Sequence, residues 1–121
     1  MNEGRNQGLE FRTKQFALQI IELFSKLTMS VAAQVLGRQL LRSGTSVGAQ
    51  YREAKRAKST ADFISKIEGS LQELEETRYW LDLLMGSKTL SEDQVTLIAK
   101  EAEELTAMLV ASVRTAKRRK K

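Results

Sequence analysis

Histidine, cysteine and proline are absent from the 121 residues of the chain. Without histidine there is no side chain poised to titrate near neutral pH, and without cysteine there is neither a disulfide framework nor a thiolate metal site, so most catalytic templates are excluded. The lack of proline removes the commonest breaker of helices and the usual punctuation of loops, which makes long helices joined by short turns the expected form. Aromatic residues are few, and no ladder of them is interleaved with the basic residues. Stacking on single strands is therefore unsupported, and a cationic surface is left with backbone and shape recognition. No apolar run approaches the roughly 20 residues that span a bilayer, and residues 1–8 hold no signal-like apolar stretch, so a cytoplasmic chain with no membrane partner is expected.

What the chain does contain is helix formers. Leu, Ala, Glu, Lys, Arg and Gln dominate, at a length that suits one domain with a real core. Phe16, Ala17, Ile20, Phe24 and Leu27 step by three and four and predict an amphipathic helix from about Glu10 to Leu27. Thr28-Met29-Ser30 supplies hydroxyls that can cap a second helix, from about Val31 to Lys58, with Leu36, Leu40, Val47, Tyr51 and Ala54 as its stripe. Gly37, Gly44 and Gly48 lie inside that helix. Each costs roughly 1 kcal/mol relative to alanine, which argues for close approach of another backbone; a turn at Gly44 that splits the segment is the alternative.

Ser59 and Asp62 mark the start of a third helix, whose stripe is Ile64, Ile67, Leu71, Leu74, Arg78, Leu81 and Met85, with Thr77, Trp80 and Leu84 on an adjacent strip. Gly86 stands where that helix should end. Ser91-Glu92-Asp93-Gln94 has the form of a capping box and opens a fourth helix with Val95, Ile98, Ala102, Leu105, Leu109, Ser112 and Ala116 inward and Lys100, Glu101, Glu103 and Glu104 outward. The fold class is all-α, an antiparallel up-down-up-down four-helix bundle over residues 10–116, preceded by a flexible stretch 1–9 and followed by a basic tail 117–121.

Charge is unevenly spread. Residues 30–58 hold six cations against Glu53 alone, residues 114–121 hold six and no acid, and residues 59–85 and 91–113 are net acidic. Arg38, Arg42, Arg52, Lys55, Arg56 and Lys58 can line a phosphate-tracking surface, to which Lys117, Arg118, Arg119, Lys120 and Lys121 would add counterion-release affinity without sequence discrimination. Pairing of the same cations with acids of the third and fourth helices is the competing reading, and solubility competes for the tail. Arg78, in an apolar stripe, demands a partner, for which Glu53 is the candidate; such a pair would fix register. Tyr79 and Trp80 read as core and subunit-interface anchors. Glu73 and Glu76, with Glu53 and Asp62, could be offered as a carboxylate cluster for Mg²⁺, but acids beside basic residues are usually a solvated face, and no metal or other cofactor is expected.

The run Gln39-Leu40-Leu41-Arg42-Ser43-Gly44-Thr45-Ser46-Val47-Gly48-Ala49-Gln50-Tyr51-Arg52-Glu53-Ala54, followed by Asp62-Phe63 and Glu76-Thr77-Arg78-Tyr79-Trp80-Leu81, resembles a known family. It is similar to the bacterial four-helix-bundle proteins first met as reading frames in intervening sequences of the large ribosomal RNA gene, from roughly Phe11 to Val113. The resemblance implies a homopentameric ring, no enzymatic activity, and kinship with accessory proteins of diversity-generating retroelements, which bind nucleic acid and a reverse transcriptase. Two positions depart from the family pattern: Gln50 stands where asparagine is usual, and Thr28-Met29 where proline is common. The expected function is a non-catalytic, pentameric helical scaffold that binds RNA or DNA through basic surfaces. Its alternatives are a purely structural oligomer or protein adaptor and, third, a metal-dependent nucleotide hydrolase.

Overall fold

The computed structural model describes residues 3–119, with side chains from residue 8 onward. It contains four helices, α1 (Glu3–Ser25), α2 (Val31–Lys55), α3 (Thr60–Gly86) and α4 (Glu92–Arg119), and no strand among the described residues. Gly8, at φ 47° and ψ −139°, breaks α1, so its amphipathic part begins at Leu9. α1 and α3 each pack on α2 and α4, which makes an up-down-up-down bundle of neighbours in chain order. The fold class therefore agrees with the apolar periodicity of the chain.

The helix starts are capped as their sequences dictate. Ser30 accepts from the Ala33 amide at 3.2 Å and Ser59 from the Asp62 amide at 3.0 Å. At α4 the box is reciprocal, with the Gln94 amide donating to Ser91 Oγ at 3.2 Å and the Ser91 amide to Gln94 Oε1 at 2.9 Å. The end of α3 differs from expectation. Gly86 is still helical, and the residue with left-handed backbone is Lys88, at φ 65°. The Thr89 amide donates to the Leu84 carbonyl and the Lys88 amide to the Met85 carbonyl, both at 2.9 Å, which is a Schellman closure with lysine in the glycine position. Lys88→Gly should raise stability by about 0.5–1 kcal/mol, or roughly 3–5 °C in Tm by calorimetry, since a side chain is disfavoured there.

α2 is unbroken through Gly44, and its glycines face α1. Phe24 and Leu27 crowd Gly37, Ile20 crowds Gly44 and Thr13 crowds Gly48, so contacts descend α1 as they ascend α2, as antiparallel helices require. On the opposite side α2 meets α3 through small polar groups. Ser43 Oγ and Thr77 Oγ1 are 2.8 Å apart, and Ser70 donates to the Val47 carbonyl at 2.7 Å, all with the residues buried. These short side chains draw α3 toward α2 and rotate its buried face. Ile67, Ser70, Leu74, Thr77, Leu81 and Leu84 are the buried set, whereas Leu71, Arg78 and Met85 are half-buried at its margin.

Candidate nucleic-acid interface

Because α2 and α4 run the same way in the bundle, their C-termini emerge at one end, and the two most basic stretches of the chain meet there. Arg52, Lys55, Arg56 and Lys58 come from α2 and the loop after it; Arg114, Lys117, Arg118 and Arg119 come from α4. All eight are exposed. Lys120 and Lys121 lie outside the described residues.

Part of this charge is answered locally. Lys55 Nζ donates to Glu10 Oε1 at 2.7 Å, and Arg52 lies 3.9 Å from the other oxygen of Glu10. Lys66 donates to Glu53 at 3.0 Å. Arg56, Lys58, Arg114, Lys117, Arg118 and Arg119 take part in no ion pair among the described residues. Six cations with open hydration shells at one end of a small bundle form a field that attracts polyanions.

Arg38 and Arg42 belong to a different region, on the outward face of α2 about 15–27 Å from the end cluster at 1.5 Å per residue. Arg42 is held by α3, with Nη2 at 2.6 Å from Glu76 and 3.2 Å from Glu73. That fork engages Glu73 and Glu76, two of the four carboxylates considered as metal ligands. No group of three or more side chains suited to a metal occurs among the described residues. Arg38 is exposed and in no ion pair among them.

Two expectations are corrected. Glu53 does not pair with Arg78, because the contact of Ser43 with Thr77 sets a register in which Glu53 lies some ten residues, or about 15 Å, from the level of Arg78. Arg78 sits half-buried between α3 and α4 without an ion pair among the described residues. Glu101 is half-buried rather than outward, and Glu104, exposed as expected, is engaged beside it. They grip Arg12, whose Nε donates to Glu101 Oε2 at 3.0 Å and whose Nη2 donates to Glu101 at 2.8 Å and Glu104 at 2.6 Å. These hydrogen bonds raise the Arg12 pKa above its ordinary value and tie α1 to α4. Tyr79 is 55% exposed, while Trp80, its ring 5.3 Å from that of Tyr79, packs against the core. Arg114, which extends the cluster, was legible as one helical turn before Arg118.

The Lys55 hydrogen bond and then its Coulomb attraction hold the Glu10 carboxyl below its ordinary 4.5. In return Glu10 raises Lys55, and Glu53 raises Lys66, above the ordinary 10.5. The Glu10 contribution to stability is thus present above pH 4.5 and lost as pH falls, and the lysine contributions are present below 10.5 and lost as pH rises. With no histidine in the chain, Tm should be nearly flat from about pH 6 to 9 and fall on both sides. Thermal melts should show Glu10→Gln flattening the acid limb slightly, and about 1 M salt should shrink the effect because these pairs are exposed.

The model of the 23S rRNA-intervening sequence protein family matches residues 11–111 of the chain. A 1.70 Å crystal structure of a protein with unknown function from the S23 ribosomal protein family of Bacteroides thetaiotaomicron is 36% identical, covers 86% of this chain and 96% of that chain, and superposes with a TM-score of 0.81. No protein of curated function matches.

Proposed function

Since the chain belongs to the 23S rRNA-intervening sequence protein family, we propose that it is a non-catalytic, homo-oligomeric scaffold of the cytoplasm that binds RNA or DNA through its basic end. The observation that carries this reading is the convergence of Arg56, Lys58, Arg114, Lys117, Arg118 and Arg119, from two helix termini, free of ion pairs among the described residues. Such a surface neutralises phosphates and releases counterions without reading bases. Arg38 adds a second, smaller site along α2.

Self-association is supported by apolar surface on the wrong side of α1. Phe11, Leu18 and Ile21 are 43–48% exposed, and with Lys14 and Ser25 they step by three and four along the face opposite the core. A closed ring joins two different faces. Met29 and Val31, 84% and 80% exposed, with Val35, open the outward side of α2 and offer the second. A pentamer is the assembly that the family resemblance implies, and each added subunit repeats the basic end in one particle.

Fluorescence anisotropy of labelled RNA and DNA duplexes across a salt series tests the reading. A protein covering six or more phosphates should lose on the order of a thousandfold in affinity between roughly 50 and 200 mM salt. Removal of residues 117–121 should make the slope shallower without abolishing it. Absence of binding at low salt would defeat the proposal and assign the chain to a purely structural oligomer.

A further inference from the structure

We infer that the groove between the start of α3 and the end of α4 seats an unpaired nucleotide, its base over Phe63 and its phosphates against Lys58 and Arg119. The inference rests on the nucleic-acid reading above and adds to it a preference that charge alone does not supply. The groove has a volume of about 550 Å³, within the roughly 300–1,000 Å³ of small-molecule sites. Phe63, Ala57, Ala111 and Ala116 are its apolar lining, and no carboxylate lines it among the described residues. Lys58 and Arg119, distant in sequence, stand at its edge, and neither takes part in an ion pair among the described residues.

Of the hydroxyls in the wall, Ser59 is committed to capping α3, and the others are open among the described residues. Thr96 and Thr106 of α4 turn their hydroxyls back to the carbonyls of Glu92 and Ala102, as is usual in helices. Ser112 and Thr115, on the groove side of the same helix, make no such bond among the described residues, and neither does Thr60 across from them. These hydroxyls can both donate and accept, which suits the edges of a base or a ribose. An aromatic face, a cationic rim and free hydroxyls together are the parts that recognise an unstacked nucleotide. A base inside a duplex is stacked and unavailable to such a groove.

A second aromatic groove on the molecule differs where it matters. Phe11, Tyr51, Lys14, Arg52 and Lys55 line it, but Glu10 sits among them and takes the Lys55 ammonium at 2.7 Å. The carboxylate that neutralises its cations would also repel a phosphate. The groove at Phe63 has no such group among the described residues.

The test compares three labelled ligands at one salt concentration: a blunt duplex, the same duplex with unpaired overhangs, and that duplex with abasic overhangs, which keep the phosphates and remove the bases. The intact protein should bind the overhang with bases about tenfold more tightly than the abasic one. Phe63→Leu, and independently Ala111→Leu, which fills the groove from an exposed position, should erase that ratio while leaving affinity for the blunt duplex unchanged. Equal binding of based and abasic overhangs by the intact protein overturns the inference and leaves the charge-based reading standing. Failure to bind any of the three overturns both.

Discussion

Gly44→Leu should leave the chain unfolded or close to it, and Gly44→Ala should lower its stability by up to about 2 kcal/mol in urea titration. A Cβ at Gly44 would stand 2.8 Å from Cγ1 and 2.9 Å from Cγ2 of Ile20, and 3.2 Å from its Cβ. Those atoms are not the tip of a flexible chain. Both γ carbons branch from one Cβ, so no rotation of χ1 clears both, and Ile20 is fully buried in the centre of the bundle. One helix must move or the core must repack. Overpacking of this kind costs roughly 1–3 kcal/mol, against about 1 kcal/mol gained from alanine as a better helix former. The three further carbons of leucine have nowhere to go, and their cost approaches the whole stability expected of a domain, about 5–15 kcal/mol. Gly86→Ala is the internal control, because nothing lies within 4 Å of the position and the change should be neutral or stabilising by up to about 1 kcal/mol. Ile20→Ala should cost roughly 2–5 kcal/mol alone and less in the Gly44→Ala background, where the new methyl fills part of the cavity. A stabilising Gly44→Ala would show that the helices do not approach as closely as described.

That glycine illustrates what a single sequence can disclose. The periodicity of Leu40 and Val47 carried the helix through Gly44, and the cost of glycine pointed to a close neighbour, which is Ile20. The caps at Ser59 and Ser91 were equally readable, because a capping box is a local device whose partners are three residues apart. The family match was expected over Phe11 to Val113 and covers residues 11–111. Long-range pairing was another matter. Glu53 and Arg78 were joined on chemistry alone, and a register set by Ser43 and Thr77 separates them. The tilt of the buried face of α3 toward Ser70 and Thr77 depends on how small the facing residues of α2 are, which periodicity does not encode. Arg12 could have been placed between α1 and α4 only by knowing that the first and last helices are neighbours. The basic end was nearly legible: two cationic stretches closing two helices of like direction must meet in an up-down-up-down bundle. Phe63 was not, since it becomes part of a cationic groove only through α4, some fifty residues away.

Leu18→Glu with Ile21→Glu should convert the proposed assembly to single chains, with a mass by sedimentation or light scattering near the 13.6 kDa of one chain. Both side chains are nearly half exposed on the face of α1 opposite the core, and neither belongs to the buried cluster. The fold should therefore survive at a cost of about 1 kcal/mol per substitution, visible as a modest fall in Tm with an unchanged helical circular dichroism spectrum. An interface of the proposed ring differs in this respect, because a carboxylate buried there without a partner would cost several kcal/mol and each contact would bear it. The consequence for nucleic acid follows from geometry. One basic end holds a duplex weakly, whereas several ends held in one particle bind the same polyanion with an effective concentration that can raise affinity by roughly 10²–10⁴. The double variant keeps every cation of Arg56, Lys58, Arg114, Lys117, Arg118 and Arg119, yet its affinity for a long duplex should fall about a hundredfold or more. Its affinity for a duplex short enough to touch one end only should stay the same. If the unaltered protein already has the mass of one chain, the scaffold reading loses its assembly. If the variant keeps the larger mass, the joining face lies elsewhere than on α1.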